Sequence, residues 1–169
     1  MNKEKNSCNE EVFNSLYREL SPALHNFIFF KSGNRDQSLD IVQEAFIKLW
    51  NNCGKVPPAK AKSFLYTVSN NLFLNAVSHQ KVVLKFRKHK DMDLNEQSPQ
   101  FLLEEKEYGE RLSEAIANLT EMQRTAFLLS RVEGKKYREI AEILGISEKA
   151  AGKRIHDALE ALRTQIEKI

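Results

Sequence analysis

The residues with the clearest chemical meaning lie near the C-terminus, in YREIAEILGISEKAAGKRIHDALEAL. Ile140, Ala141 and Leu144 form the inner face of a short helix, and Ala141 is small where a second helix must cross closely. Gly145 permits the positive backbone angle of a tight turn. Ile146 fills the corner, and Ser147 suits the cap of the next helix. Ala151, Ile155, Ala158, Leu159 and Leu162 give that second helix an inner stripe, which turns Glu148, Lys149, Gly152, Lys153 and His156 outward, with Arg154 at the margin. This is the pattern of a helix-turn-helix, whose second helix enters the major groove of duplex DNA and meets base edges with its first turns. An ordinary helical hairpin with a glycine turn is the plainer alternative. Helix length, small residue, turn glycine and cap together favour the DNA-reading one.

A second chemical signal lies upstream. From Gly54 to Lys90 the chain has no acidic residue and eight lysines and arginines: Lys55, Lys60, Lys62, Lys81, Lys85, Arg87, Lys88 and Lys90. His79 and His89 add to them. Such a surface suits a nucleic-acid backbone, where cations release counterions. Interleaved aromatics suit single strands, whose bases stack on rings. Phe64, Tyr66 and Phe73 are the candidate rings; Phe64 fits a stacking role and a core role equally, while Tyr66 lies off the main apolar stripe, which favours exposure. Asn70, Asn71 and Asn75 carry amides that read base edges, or that bridge backbone instead.

Other chemistries find little support. No nucleophile stands with a base, and neither a phosphate loop nor a metal-ligand cluster is visible, so neither enzyme activity nor a cofactor or metal is expected. Cys8 and Cys53 are far apart and outside any CxxC pair, which favours two reduced thiols over a disulfide framework or a zinc site. The polar opening MNKEKNSCNEE leads into no signal-peptide core, and the apolar cluster from Phe27 to Phe30 is far too short to span a membrane. A cytoplasmic protein without membrane insertion is the expectation. The net charge of +3 says little by itself; its distribution says more.

The elements that position these residues read as helices throughout. One starts near Glu11, with a break and restart expected at Ser21-Pro22, and KSGNRDQS reads as a loop. In SLDIVQEAFIKLWNN, Val42, Ala45, Phe46 and Leu49 fall at helical spacing, widened by Ile41 and Trp50; Ser38 suits its cap, and NNCGKVPP ends it. A third helix runs from near Ala59 past Val77. Charge then reverses at Asp91, and the acids continue to Glu110. Leu112, Ala115, Ile116 and Leu119 open the last helical third, and Thr120 with Gln123 forms a capping-box pattern. The expected fold is all-α, with two small helical domains at 10–90 and 108–169 joined by an acidic linker at 91–107.

With these pieces in order, the chain resembles the extracytoplasmic-function group of the bacterial sigma-70 family, from about Val12 to Leu162. DIVQEAFIKLW is similar to region 2.2, which docks on the polymerase clamp helices. SFLYTVSNNLFLNAV is similar to the promoter-melting, minus-ten helix, and the stretch from Leu119 to Arg163 to region 4, which reads the minus-thirty-five element. The resemblance implies core RNA polymerase, duplex and melted promoter DNA, and an anti-sigma factor as partners. It assigns Asp40, Gln43, Glu44, Phe46 and Lys48 to polymerase docking, with Phe46 alternatively a core residue. It assigns Lys60, Lys62, Tyr66, Asn70, Asn71, Lys149, Lys153, Arg154 and His156 to DNA, and the loop from Asn52 to Ala61 to capture of a flipped base. Lys136 replaces a common hydroxyl cap, Ala150-Ala151 a threonine–valine pair, and Gly152 a polar residue; these departures leave the implied function standing, but the exact base contacts do not carry over from the family's pattern. The acidic run from Asp91 to Glu110 shields the DNA-binding surface of the free protein, threads into a basic channel of the polymerase, or is a solvated linker. The competing readings are a helix-turn-helix regulator without sigma activity, which leaves the two upstream stretches unexplained, and a helical protein-binding adaptor, which leaves the acid-free stretch unexplained.

Overall fold

The computed structural model describes residues 6–77 and 99–167. Lys81, Lys85, Arg87, Lys88, Lys90, His79, His89 and the linker residues 91–98 lie outside the described residues. Among those described, seven helices follow one another: α1 (Glu10–Ser32), α2 (Arg35–Asn51), α3 (Pro58–Val77), α4 (Pro99–Ala117), α5 (Glu121–Arg131), α6 (Tyr137–Leu144) and α7 (Glu148–Glu167). None is long and apolar enough to cross a membrane.

The helices α1, α2 and α3 pack on one another around Leu24, Phe27, Ala45, Leu49, Leu65 and Phe73, all fully buried. Helix α1 runs straight through Pro22, so the expected break at Ser21-Pro22 does not occur. Proline costs a helix one backbone bond, but Leu20 before it and Leu24, Phe27 and Ile28 after it enter the same core and hold both halves in register. The expected KSGNRDQS loop shrinks to Gly33-Asn34. Gly33 ends α1 at φ 64, and Asn34, rather than Ser38, caps α2 by accepting from the Gln37 N–H at 3.0 Å. Ser38 sits one turn inside, buried, with its hydroxyl donating to the Arg35 carbonyl at 2.7 Å.

The second half is a bundle in which α7 packs against α4, α5 and α6. Thr120 and Gln123 form the expected capping box at the start of α5. Arg124, buried, donates to the carbonyls of Ala117 and Leu119, both at 3.0 Å, and so satisfies the C-terminal end of α4. Lys136 makes no side-chain cap, but its backbone N–H donates to Glu139 at 2.9 Å, which starts α6 without a hydroxyl. The buried apolar residues of the two halves form one continuous cluster from α1–α3 into α5, α6 and α7.

The expectation of two reduced thiols fails. Cys8, just ahead of α1, and Cys53, in the turn after α2, form a disulfide with their Cα atoms 4.9 Å apart. The sequence separation of 45 hid this pairing, because antiparallel packing of α1 on α2 brings one helix start beside the other helix end.

Two glycines of the helix-turn-helix have opposite requirements. Gly145 sits at φ 64, where a side chain is strained by roughly 1–2 kcal/mol. Gly152 lies within α7, and a Cβ there meets Tyr137 at 3.4 Å, an ordinary contact. Gly145→Ala is therefore expected to lower the urea midpoint. Gly152→Ala is expected to raise it by roughly 0.5–1 kcal/mol in stability; a Gly152→Ala variant less stable than the parent contradicts this account of the helix.

Candidate nucleic-acid interface

The reading helix is built as the sequence implies. Gly145 turns the chain, and the Ser147 hydroxyl accepts from the Ala150 N–H at 3.1 Å to start α7. Ala151, Ile155, Ala158 and Leu162 are buried. Lys149, Lys153 and His156 are exposed, and Arg154 is half-buried at the margin. The start of α7 thus presents a cationic face open to solvent.

Helix α2 offers a second open face. Asp40, Gln43 and Glu44 are exposed, with Glu44 pairing to Lys48 at 3.4 Å. Phe46 is a core residue, edge-on to the rings of Phe13 and Tyr17 at 5.9 and 4.8 Å. Leu39 and Ile47 flank the acidic strip at 49% and 53% exposure. Sequence reading missed both, although one signal was present: apolar residues at 39 and 47 share the helix face of polar Gln43.

The basic helix α3 is not open. Its face toward α5 and α6 is a seam between the two halves. Lys31 of α1, wholly buried, pairs with Glu121 at 2.5 Å, donates to Thr125 at 2.8 Å and to the Asn70 amide oxygen, and lies 4.6 Å over the Phe73 ring. Tyr66 donates its hydroxyl to Glu133 at 2.8 Å, with the Lys135 ammonium 3.9 Å above its ring. Thr67 donates to the Ile143 carbonyl at 2.9 Å. At the outer edge Lys60 meets Glu142 at 2.5 Å and Lys62 meets Glu139 at 3.8 Å. The expected exposure of Tyr66 therefore does not hold: it is 1% exposed, because closure of the second half over α3 covers the flank that its off-stripe position would leave open. Phe73 is likewise core, and Phe64 is half-buried. Asn70 is buried and Asn71 exposed; Asn71 and Arg154 line an interhelical cleft of about 320 Å³.

Among the described residues, the acids along this seam are Glu121, Glu133, Glu139 and Glu142. In the acidic run, residues 106–110 lie on α4, where Glu107 pairs with Arg111 at 3.9 Å and the helix packs on α7. Glu139 and Glu142 are one helical turn apart in YREIAEIL, which places both on one side of α6. That spacing was legible, but its partners were not.

Burial sets the electrostatics of the seam. Desolvation lowers the Lys31 ammonium to about 8, against the favourable charge of Glu121, with Arg124 adding to the fall. Desolvation and then the charge of Lys62 lower Lys135 to about 8. Desolvation, the hydrogen bond to Glu133 and that carboxylate's charge push the Tyr66 hydroxyl well up. The Lys136 backbone N–H holds the Glu139 carboxyl low, and the Lys60 hydrogen bond does so for Glu142.

These features define a helical DNA-binding protein whose duplex-reading helix is free and whose second cationic helix is covered by its own acids. Residues 16–82 match the family model of sigma-70 region 2, and residues 109–162 that of sigma-70, region 4. Over 139 residues the chain is 32% identical to RNA polymerase sigma factor SigV of Bacillus subtilis, covering 80% of this chain and 79% of SigV. It is 25% identical over 159 residues to ECF RNA polymerase sigma factor SigE of Mycolicibacterium smegmatis, covering 92% of this chain but 62% of that relative's length. The fold is similar to CnrH in its complex with the cytosolic domain of CnrY (TM-score 0.68, 20% identity, 95% of this chain and 90% of that one). It is equally similar to sigma factor RpoE in its complex with the anti-sigma factor NepR from Bartonella quintana (TM-score 0.68, 20% identity, 92% and 96%). The chain belongs to the sigma-70 family of RNA polymerase sigma factors, in the extracytoplasmic-function group.

The seam carries a signed pH dependence. Lysines freed by opening or unfolding titrate near 10.5, against about 8 when buried. Between those values the opened chain holds more protons, so the closed form gains stability as pH rises through the window and loses that gain as pH falls through 8. Tyr66, raised when buried, has the opposite sign: its contribution is intact below its ordinary 10.0 and is lost above it. Urea midpoints are expected to climb from pH 8 toward 10 and to fall beyond, and Lys31→Met should remove the Lys31 share of the climb. A profile flat across that range counts against buried ammonium groups in the seam.

Proposed function

We propose that this chain is an initiation factor that binds core RNA polymerase and directs it to promoters, acting in the cytoplasm. The observation that carries the reading is the pairing, on one chain, of an open acidic–apolar face on α2 with an open cationic face on α7, each within its own matched sigma region. The domains we assign are 10–90 for region 2, 91–107 for an acidic linker, whose residues 99–107 already form the start of α4, and 108–169 for region 4. Asp40, Gln43, Glu44 and Lys48 dock the polymerase, with Leu39 and Ile47 as apolar anchors beside them; Phe46 supports that face from the core. Lys149, Lys153, Arg154 and His156 meet the upstream element as duplex. Arginine and lysine contact guanine or phosphate there, and only the first carries sequence information.

Lys60, Lys62, Tyr66, Asn70 and Asn71 hold the melted element, and the turn from Asn52 to Ala61 receives an extruded base. This assignment requires the seam to open, because Tyr66 and Asn70 are buried and both lysines are ion-paired in the closed chain. Carboxylates on Lys60 and Lys62 stand where phosphates would stand. An anti-sigma protein is the expected regulatory partner, since solved relatives of this fold are complexes with CnrY and NepR.

The decisive measurement is run-off transcription from a promoter library with bacterial core polymerase, with and without the chain. Specific starts are expected only in its presence; a core enzyme that is neither bound nor redirected defeats the reading and favours a duplex-DNA regulator. Glu44→Arg is expected to weaken core binding by roughly tenfold or more, without loss of fold. Lys153→Ala should weaken upstream duplex binding by roughly 1–3 kcal/mol if it reads a base, with relaxed sequence preference, and evenly across sequences if it meets phosphate.

A further inference from the structure

The Cys8–Cys53 pair was given no role of its own above, although Cys53 lies within the turn assigned to base capture. Cys53 sits in the turn between α2 and α3, and Cys8 precedes the first turn of α1. A second contact joins the same two segments: the buried Ser7 hydroxyl donates to the Val56 carbonyl at 2.6 Å. Residues 7 and 8 are thus fastened to the turn at both ends of its Cys53–Val56 stretch. The fastening is from behind. Val56 is buried, whereas Gly54, Lys55 and Pro57 on the outer side are exposed, and a Cβ at Gly54 would meet nothing within 4 Å. Within the turn the backbone is held by the Lys55 and Val56 N–H groups donating to the Asn52 carbonyl at 2.8 and 3.1 Å, and by Cys53 donating to Trp50 at 3.2 Å. Cys8 is exposed and Cys53 half-buried, so small oxidants and thiols reach the bridge.

Disulfides persist in oxidising compartments, whereas in reducing ones they are usually transient or redox-sensing. We propose that Cys8 and Cys53 form a reversible thiol–disulfide switch that sets the order of the 52–57 turn, and through it the grip of region 2 on melted DNA. The effect on DNA rests on the assignment of that turn to base capture made above; the switch itself does not.

The oxidant is a hydroperoxide. The exposed Cys8 thiolate attacks a peroxide oxygen, forming a sulfenic acid and releasing water or alcohol once the leaving oxygen takes a proton. The Cys53 thiolate then attacks the Cys8 sulfur; the S–O bond breaks and the hydroxide leaves as water. Two thiols lose two electrons and two protons, and one peroxide is reduced. Return takes two equivalents of a small thiol: the first forms a mixed disulfide and the second displaces it, leaving both cysteines reduced and the small thiol oxidised.

A turn pinned from behind loses less freedom when a ligand settles on its open side, so the oxidised form is the tighter one. The test uses the full chain, oxidised with hydrogen peroxide and cleared with catalase, or reduced with dithiothreitol, before core polymerase is added. Alkylation and intact mass should find no free thiol in the first form and two in the second. Two free thiols after peroxide treatment overturn the switch. On a promoter taken from the run-off selection, the oxidised form should give roughly three- to tenfold more permanganate-reactive open complex at limiting DNA. Cys8→Ser, outside the turn assigned to base capture, should match the reduced level under both treatments. Equal opening by both wild-type forms overturns control of the DNA grip. Failure of either form to redirect polymerase, with the thiol masses as expected, overturns the sigma reading and the DNA effect but leaves the redox pair standing.

Discussion

The ammonium of Lys31 is buried where α1, α3 and α5 meet, and the closed form depends on how that charge is accommodated. A charge taken out of water costs far more than it returns unless it is paired and its protons are bonded. Lys31 meets that condition only by drawing on both halves at once: Asn70 and the Phe73 ring from α3, Glu121 and Thr125 from α5. Removing one half leaves the ammonium without a carboxylate. The seam is therefore specific in register and modest in net strength.

The outer contacts of the seam follow a single electrostatic logic. Lys60 and Lys62 of α3 repel one another when left alone, and the Glu142 and Glu139 carboxylates of α6 relieve that repulsion. Lys60 and Lys62 are exposed enough for solvent to screen their pairs strongly, so Glu139 and Glu142 steer more than they stabilise. DNA offers the same lysines a denser line of negative charge and the release of counterions besides. In the function proposed above, the residues that close the free chain are also those that bind the nucleic acid, and the two uses exclude each other.

The surfaces left open are those set on rigid elements. Helix α2 is held by core residues along its inner side, and Phe46 is locked among aromatic rings, so the ridge of Leu39, Asp40, Gln43, Glu44 and Ile47 is presented without cost in order. Helix α7 is held the same way by Ala151, Ile155, Ala158 and Leu162. The seam and the turn after α2 are held instead by polar contacts and by the Cys8–Cys53 disulfide.

The local features were legible in the sequence because local physics fixes them. The glycine of the helix-turn-helix, its Ser147 cap, the Thr120–Gln123 box and the outward lysines of α7 all depend on residues within a few positions of one another. So do the helical stripes that gave the all-α class. Helix ends were read less well: Asn34 outcompeted Ser38 as a cap, and core contacts on both sides carried α1 through Pro22. What only the tertiary structure decided was pairing at long range. Whether Tyr66 faces DNA or Glu133, whether Lys31 is a surface cation or a buried one, and whether Cys8 meets Cys53 all turn on which helix packs over which. Side-chain type and spacing set a residue's capacity for an interaction; its partner is set by packing between segments that are 39 to 94 residues apart in the seam, a distance over which sequence periodicity carries no information.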